Sequence, residues 1–236
     1  MSSPAIELKD VCLSFGKSSV LRGISLQIEP GEVVGLLGPN GAGKSTTQSL
    51  IAGWYPPTRG TVEVLGSSAG AAELAGKVGS MGPTCPLNST RTVRAELVRH
   101  ARYLNVEPSD ELERWISPLK LESILPRRID TLSEGERRRA ELACSVLGNP
   151  DVLLLDEPMA GLDPSQVEAV QQLLSSRPTH QTVVISSNRL TEINTLCDRV
   201  IVIIEGRVAL DRALGCEDSA IDLYFSAVGK PTGADD

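Results

Sequence analysis

Aromatic residues make up only 3% of the 236 residues, so Ala, Val, Leu and Ile must fill most of any core. The five cysteines, at 12, 85, 144, 197 and 216, are odd in number and form no C-x-x-C pair. That argues against a disulfide framework or a zinc site and for a reducing compartment. Basic residues are not in excess: the formal net charge is −7 and the pI about 5.0. A nucleic-acid binder carries a basic face, and none is evident, so no nucleic-acid partner is expected. The arginines at 127–128 and 137–139 read as solvated helix surface, with a phosphate or partner contact as the alternative. The longest apolar runs, such as Val200–Ile204, are far too short to span a bilayer. Met1–Asp10 is polar and charged and does not read as a signal peptide. If the chain works at a membrane, something else is expected to anchor it.

What is present reads as globular: 41% hydrophobic and 22% charged, with length enough for one large domain with a real core. Ile6, Leu8, Val11, Leu13 and Phe15 alternate with polar residues, as do Ile24, Leu26 and Ile28, predicting half-buried strands. Val33–Leu37 is apolar throughout, as a strand covered on both faces should be. A Gly-rich loop and a helix over Lys44–Ala52 follow. Thr61–Val64 and Lys77–Met81 are further strands, and 82–90 is a loop. From Thr92 to about Leu147 the spacing is helical. Apolar strands return at Val152–Leu155, Thr182–Ile185 and Val200–Ile204, and the last pairs with Arg207–Asp211 through Glu205-Gly206. The expectation is an α/β protein with one compact domain over 1–236. Its core takes 1–83 and 149–236, with a helical insertion at about 84–148.

The segment Gly38-Pro39-Asn40-Gly41-Ala42-Gly43-Lys44-Ser45 fits G-x-x-x-x-G-K-[ST] at every fixed position, between a buried strand and a helix. Glycines let backbone N–H groups curl around an anion. The helix N-terminus adds partial positive charge. Lys44 supplies a full charge at the β/γ-phosphates, Ser45 offers a hydroxyl to Mg²⁺, and Thr46 extends the loop into the helix. The motif says nucleotide; no guanine-reading N-K-x-D follows anywhere in the chain. A second strand, Val152–Leu155, ends in Asp156 and Glu157. The first can hold Mg²⁺ and the second can orient and deprotonate a water. An ordinary strand-to-turn exit is the alternative, although two acids at a buried strand end are costly without a cation.

Leu132-Ser133-Glu134-Gly135-Glu136 contains an S-x-x-E capping box, which alone reads as a helix start. Its order relative to the other motifs adds more. Gly38–Ser45, Leu132–Glu136, Asp156-Glu157-Pro158 and Gly161-Leu162-Asp163 resemble the Walker A, signature, Walker B and D-loop of ABC ATPases, in that family's order. The resemblance runs from about Ile6 to Gly229. It implies a P-loop NTPase core with an antiparallel β subdomain, and two cassettes that sandwich two ATP molecules head to tail. Ser133 and Gly135 would then meet the partner's γ-phosphate. Phe15 matches the aromatic that stacks on adenine, worth roughly 1–3 kcal/mol where measured for bases on aromatics; a core phenylalanine is the alternative.

Three positions depart from the family. The Q-loop glutamine falls on Pro83, the switch histidine on Asn188, and the first glycine of the signature on Glu134. Neither His100 nor His180, both expected at the surface, replaces the histidine by position. Removing one transition-state donor typically costs about 10²–10³ in rate. The resemblance therefore implies firm ATP binding with slow or asymmetric turnover. It implies a subunit that powers a membrane transporter from the cytoplasmic face. Its partners would be permease chains and a second ATPase, and its ligands ATP and Mg²⁺. A regulatory nucleotide-binding subunit and a soluble, non-transport ABC ATPase are the alternatives. The C-terminal Ala220–Gly229 resembles the closing helix of exporter-type subunits.

Overall fold

The computed structural model describes residues 3–82, 87–215 and 218–229. Two sheets organise it. The first is antiparallel, in the order β2-β1-β4-β5, from β1 (Ile6–Phe15), β2 (Ser18–Ile28), β4 (Arg59–Val64) and the short β5 (Ser67–Ser68). The second has the order β10-β9-β3-β8-β7-β6. It contains β3 (Val33–Leu37), β6 (Val78–Met81), β7 (Val152–Asp156), β8 (Thr182–Ser186), β9 (Arg199–Ile204) and β10 (Arg207–Ala213). All its neighbours run parallel except β10, which forms a hairpin with β9.

Side chains alternate across a strand, so a strand buried on both faces feeds two cores. Val34, Leu36, Val152, Leu154, Val184, Ile201 and Ile203 face the antiparallel sheet and meet Ile6, Leu8, Ile24, Val62 and Val64. Their neighbours Val33, Leu37, Leu153, Leu155, Val183, Ile185, Val200 and Val202 face the helices. Almost all of this packing is aliphatic, as the scarcity of aromatics requires.

The helical pattern over 92–147 resolves into three helices: α2 (Val93–Tyr103), α3 (Pro108–Ile116) and α4 (Glu134–Val146). Asn105 and Lys120 adopt left-handed backbone (φ 59° and 51°) where the chain leaves α2 and α3. α1 (Lys44–Ile51), α5 (Pro164–Ser175), α6 (Leu190–Leu196) and α7 (Ala220–Val228) complete the set. α4 opens on the expected capping box, with Glu136 N–H donating to Ser133 Oγ and Ser133 N–H to Glu136 Oε2.

Two surface expectations are corrected. Arg139 is buried, because its guanidinium donates to the carbonyls of Leu119 and Lys120 and so closes the loop after α3. His100 is half-buried, packed into a cleft beside Leu104, and burial pushes its pKa down. His180 is exposed as expected. Arg127 and Arg128 precede α4 instead of lying on it, and pair with Glu136 and Asp130.

β6 holds α4 close because Gly79 has no side chain: a Cβ there would sit 2.0 Å from Ser145 O and 2.8 Å from Pro150 Cγ. Backbone cannot retreat as a side-chain tip can. Gly79→Ala should therefore destabilise the fold by about 1–3 kcal/mol, the usual cost of overpacking. Urea unfolding would show it as a lower midpoint at unchanged slope, and an unchanged midpoint would contradict this packing.

Candidate active site

β3 lies between β9 and β8, and β7 lies beyond β8. Register brings their carboxyl ends level: Leu36 pairs with Ser186, and Ser186 with Asp156. The loops leaving β3, β7 and β8 thus emerge side by side, where ligands bind in open α/β sheets. A cleft of about 410 Å³ opens there, lined by Val20, the loop 40–46, Asp156, Glu157 and Asn188.

The loop is built to wrap an anion. Gly38 has φ 152°, and a Cβ on it would lie 2.2 Å from Ile203 O, so only glycine lets the chain turn here against β9. Inside α1 the first backbone hydrogen bond runs from Thr47 N–H to Gly43 O at 2.8 Å. The N–H groups of Lys44, Ser45 and Thr46 precede that turn and have no carbonyl within the helix. These residues line the cleft at the positive end of the helix dipole. Lys44 is buried, and its Nζ donates to Gly38 O at 2.7 Å and to Pro39 O at 3.3 Å. Burial lowers the Lys44 pKa, and the carboxylates of Glu157 and Asp156 oppose that fall.

The acidic side is tied to β8. The Ser186 hydroxyl donates to Asp156 Oδ1. The Glu157 N–H points at Ser186 O (3.0 Å) and Ser186 Oγ (3.2 Å). Those bonds hold Glu157 at φ 50°, a strained conformation for a residue with a side chain. Burial raises the Glu157 pKa, against a hydrogen bond from the Asn188 backbone and the charge of Lys44. Asn188 links the two sides. Its N–H donates to Glu157 Oε2 at 3.3 Å, its Oδ1 accepts from Lys44 Nζ at 3.4 Å, and its Nδ2 donates to Asn40 Oδ1 at 3.3 Å. Next to it, Ser187 Oγ donates to the buried Glu192, which also pairs with Arg189, and so the turn carrying Asn188 is fastened to α6.

The expected residues therefore fall into two groups. Those of 40–46, with Asp156, Glu157 and Asn188, line one cleft. Gly38 and Pro39 lie behind it as acceptors for Lys44. Phe15 is not among the lining residues; it sits at the end of β1, 49% exposed, which removes the core alternative. Ser133, Gly135 and Asp163 lie in a second region, outside the lining of the cleft, with Gly135 buried. There a Cβ on Gly135 would meet Gly161 O at 2.7 Å, and Asp163 caps α5 by accepting from Gln166 N–H. Pro83 lies outside the described residues. Ser186 and Val20 belong to the site although sequence reading missed them. A serine ending an apolar strand was the available signal for Ser186.

The donor set suits a hard cation beside phosphates. The Ser45 hydroxyl and the Asp156 carboxylate are oxygen ligands, and Mg²⁺ characteristically takes one or two such groups with substrate phosphates and waters. Among the described residues there is no cluster of three or more His, Cys, Asp or Glu able to hold a metal unaided. No helix among them is long and apolar enough to cross a membrane.

The chain resembles known proteins along nearly its whole length. The family model for the ABC transporter matches residues 21–160. Nod factor export ATP-binding protein I of Sinorhizobium fredii is 38% identical over 94% of this chain and 68% of its own length. ATP-binding cassette sub-family A member 9 of Homo sapiens is 36% identical over 85% of this chain, which spans 13% of that protein. Among solved structures, an ATP-binding subunit of an ABC transporter superposes with a TM-score of 0.84 at 26% identity, covering 95% of this chain and 99% of that one. A dimeric ATP-binding cassette bound to ADP and Pi superposes with a TM-score of 0.81 at 23% identity, over 89% of this chain and 99% of that one; it shows the fold alone. The chain belongs to the ABC transporter family, as an ATP-binding subunit with the fold of its ATPases.

Proposed function

We propose that this ATPase subunit grips ATP at the 38–46 loop and hydrolyses it with Glu157 as base, at a site where Asn188 replaces a titratable switch residue. The observation that carries this reading is the single cleft joining Lys44, Asp156, Glu157 and Asn188. The amides of 44–46 and Lys44 Nζ hold the phosphates. Ser45 and Asp156 would hold Mg²⁺, which would supply charge to neutralise the phosphates. The raised Glu157 carboxylate takes a proton from the attacking water as its oxygen bonds to the γ-phosphorus and the β–γ bridge breaks. Asn188 positions Glu157 through its backbone N–H but cannot share a proton. Phe15 stacks on adenine. Ser133 and Gly135 serve ATP held by a second ATPase subunit, and Asp163 shapes the surface between the two.

The membrane partner is a permease on separate chains, which places this subunit on the cytoplasmic face. Its direction of transport is export, as named for the relatives in Sinorhizobium fredii and Rhizobium etli. An apolar cleft of about 390 Å³ supports the docking part of this reading. It lies between β6, the loop after α1 and helices α2 and α4, with Trp54 and Tyr103 exposed at its edge. An exposed apolar patch of this kind marks an interaction site.

Glu157→Gln should lower ATP turnover of the assembled complex by about 10²–10⁴-fold while ATP stays bound. The pH dependence has a definite sign. A carboxyl raised above 4.5 must lose its proton to act as base, so turnover should fall on acidification at a pH above the ordinary carboxylate range. That limb should vanish with Glu157→Gln. Full turnover in this variant would remove Glu157 from the mechanism.

The altered positions generate a second expectation. Pro83→Gln with Asn188→His should raise hydrolysis by about 10-fold or more, the scale of restoring a transition-state donor, at similar ATP affinity. Steady-state assays on the assembled complex decide it. An unchanged rate would mean that the two residues serve docking or regulation, which is the reading of a subunit with little turnover.

A further inference from the structure

Phe15 stands nearly half exposed at the turn between β1 and β2, on a hairpin that also sends Val20 to the nucleotide cleft. An aromatic ring in that position is free to rotate unless something fixes it. Tyr55, 39% exposed, meets it in a T-shaped contact, with ring centroids 5.5 Å apart and planes at 85°. We infer that Tyr55 is a positioning residue for the adenine base, holding the Phe15 ring in the orientation that stacks. This rests on the reading of Phe15 as the adenine platform.

The local structure fastens Tyr55 for this task. Its loop leaves the C-terminal end of α1, where Trp54 N–H donates to Ser49 O at 3.0 Å. The prolines at 56 and 57 restrict the backbone that follows. Thr58 then ties the loop to the strand that carries Phe15. Its N–H donates to Cys12 O at 2.8 Å, and its Oγ1 accepts from Ser14 N–H at 3.1 Å. The base platform is thereby braced by the same helix whose N-terminus grips the phosphates. The near-perpendicular contact leaves at least one face of the Phe15 ring clear of Tyr55 for a base. Edge-to-face pairs are favoured by the ring quadrupoles. Limiting Phe15 to one orientation lowers the entropy lost when a base stacks on it.

The test separates base from phosphate by titrating the purified full chain, with Mg²⁺ present, with ATP and with inorganic tripolyphosphate. Tyr55→Ala should weaken ATP by about three- to tenfold, the factor expected from one aromatic pair. Tripolyphosphate affinity should be unchanged, and Tyr55→Phe should behave as the parent. In a Phe15→Ala background, Tyr55→Ala should add nothing. If Phe15→Ala weakens ATP and Tyr55→Ala does not, the inference fails and the adenine reading stands. Equal losses for ATP and tripolyphosphate would place Tyr55 in the phosphate grip or the fold and overturn the inference. An unaltered ATP affinity in Phe15→Ala would remove the adenine reading itself, and the role of Tyr55 with it.

Discussion

The buried ammonium of Lys44, set between two loop carbonyls and the field of two carboxylates, is the interaction on which the site depends. A lone buried cation is costly, and so is a buried acid beside a half-buried one. Here each offsets the other: the acids oppose the fall in the Lys44 pKa, and Lys44 opposes the rise in that of Glu157. The balance requires the ends of β3, β7 and β8 to be level. That register is set by continuous apolar strands whose alternate residues enter two different cores. The aliphatic packing is therefore also what aligns the charges.

The same geometry separates holding a nucleotide from reacting with it. On the proposed reading, the parts that wrap phosphate come from one stretch of chain, where a glycine pressed on a neighbouring strand and a helix start act together. The groups that act on water, on the same reading, sit at the ends of two strands, β7 and β8, and meet through Ser186 and Asn188. Replacing a titratable ring by an amide at 188 leaves the backbone bond to Glu157 available, since that bond uses no side chain. The side-chain amide instead spans Lys44 and Asn40.

This division explains what could be read from the sequence. The 38–45 loop, the strand Val33–Leu37, the acids after Leu155 and the capping box at Ser133 are short-range patterns with fixed chemistry, and each lies where the spacing placed it. The partners of those groups were not legible. The bond from Ser186 to Asp156 joins residues 30 apart, and that from Lys44 to Asn188 residues 144 apart; no local periodicity encodes either. Arg139 looked like helix surface because charge on a helix is ordinarily solvated. Two carbonyls of the loop after α3 supplied the partners that let it bury. Tyr55 carried no motif at all, and only the fold of its loop onto the end of β1 brings it to Phe15.

On the proposed reading, Lys44 is the charge that holds the phosphates and balances the acids. The most direct measurement is retention of a labelled ATP analogue by Lys44→Ala in the presence of Mg²⁺, with folding checked by circular dichroism. A folded variant that no longer retains the analogue is the predicted result. Unchanged affinity in a folded variant would contradict the account, because the phosphates would then be held elsewhere.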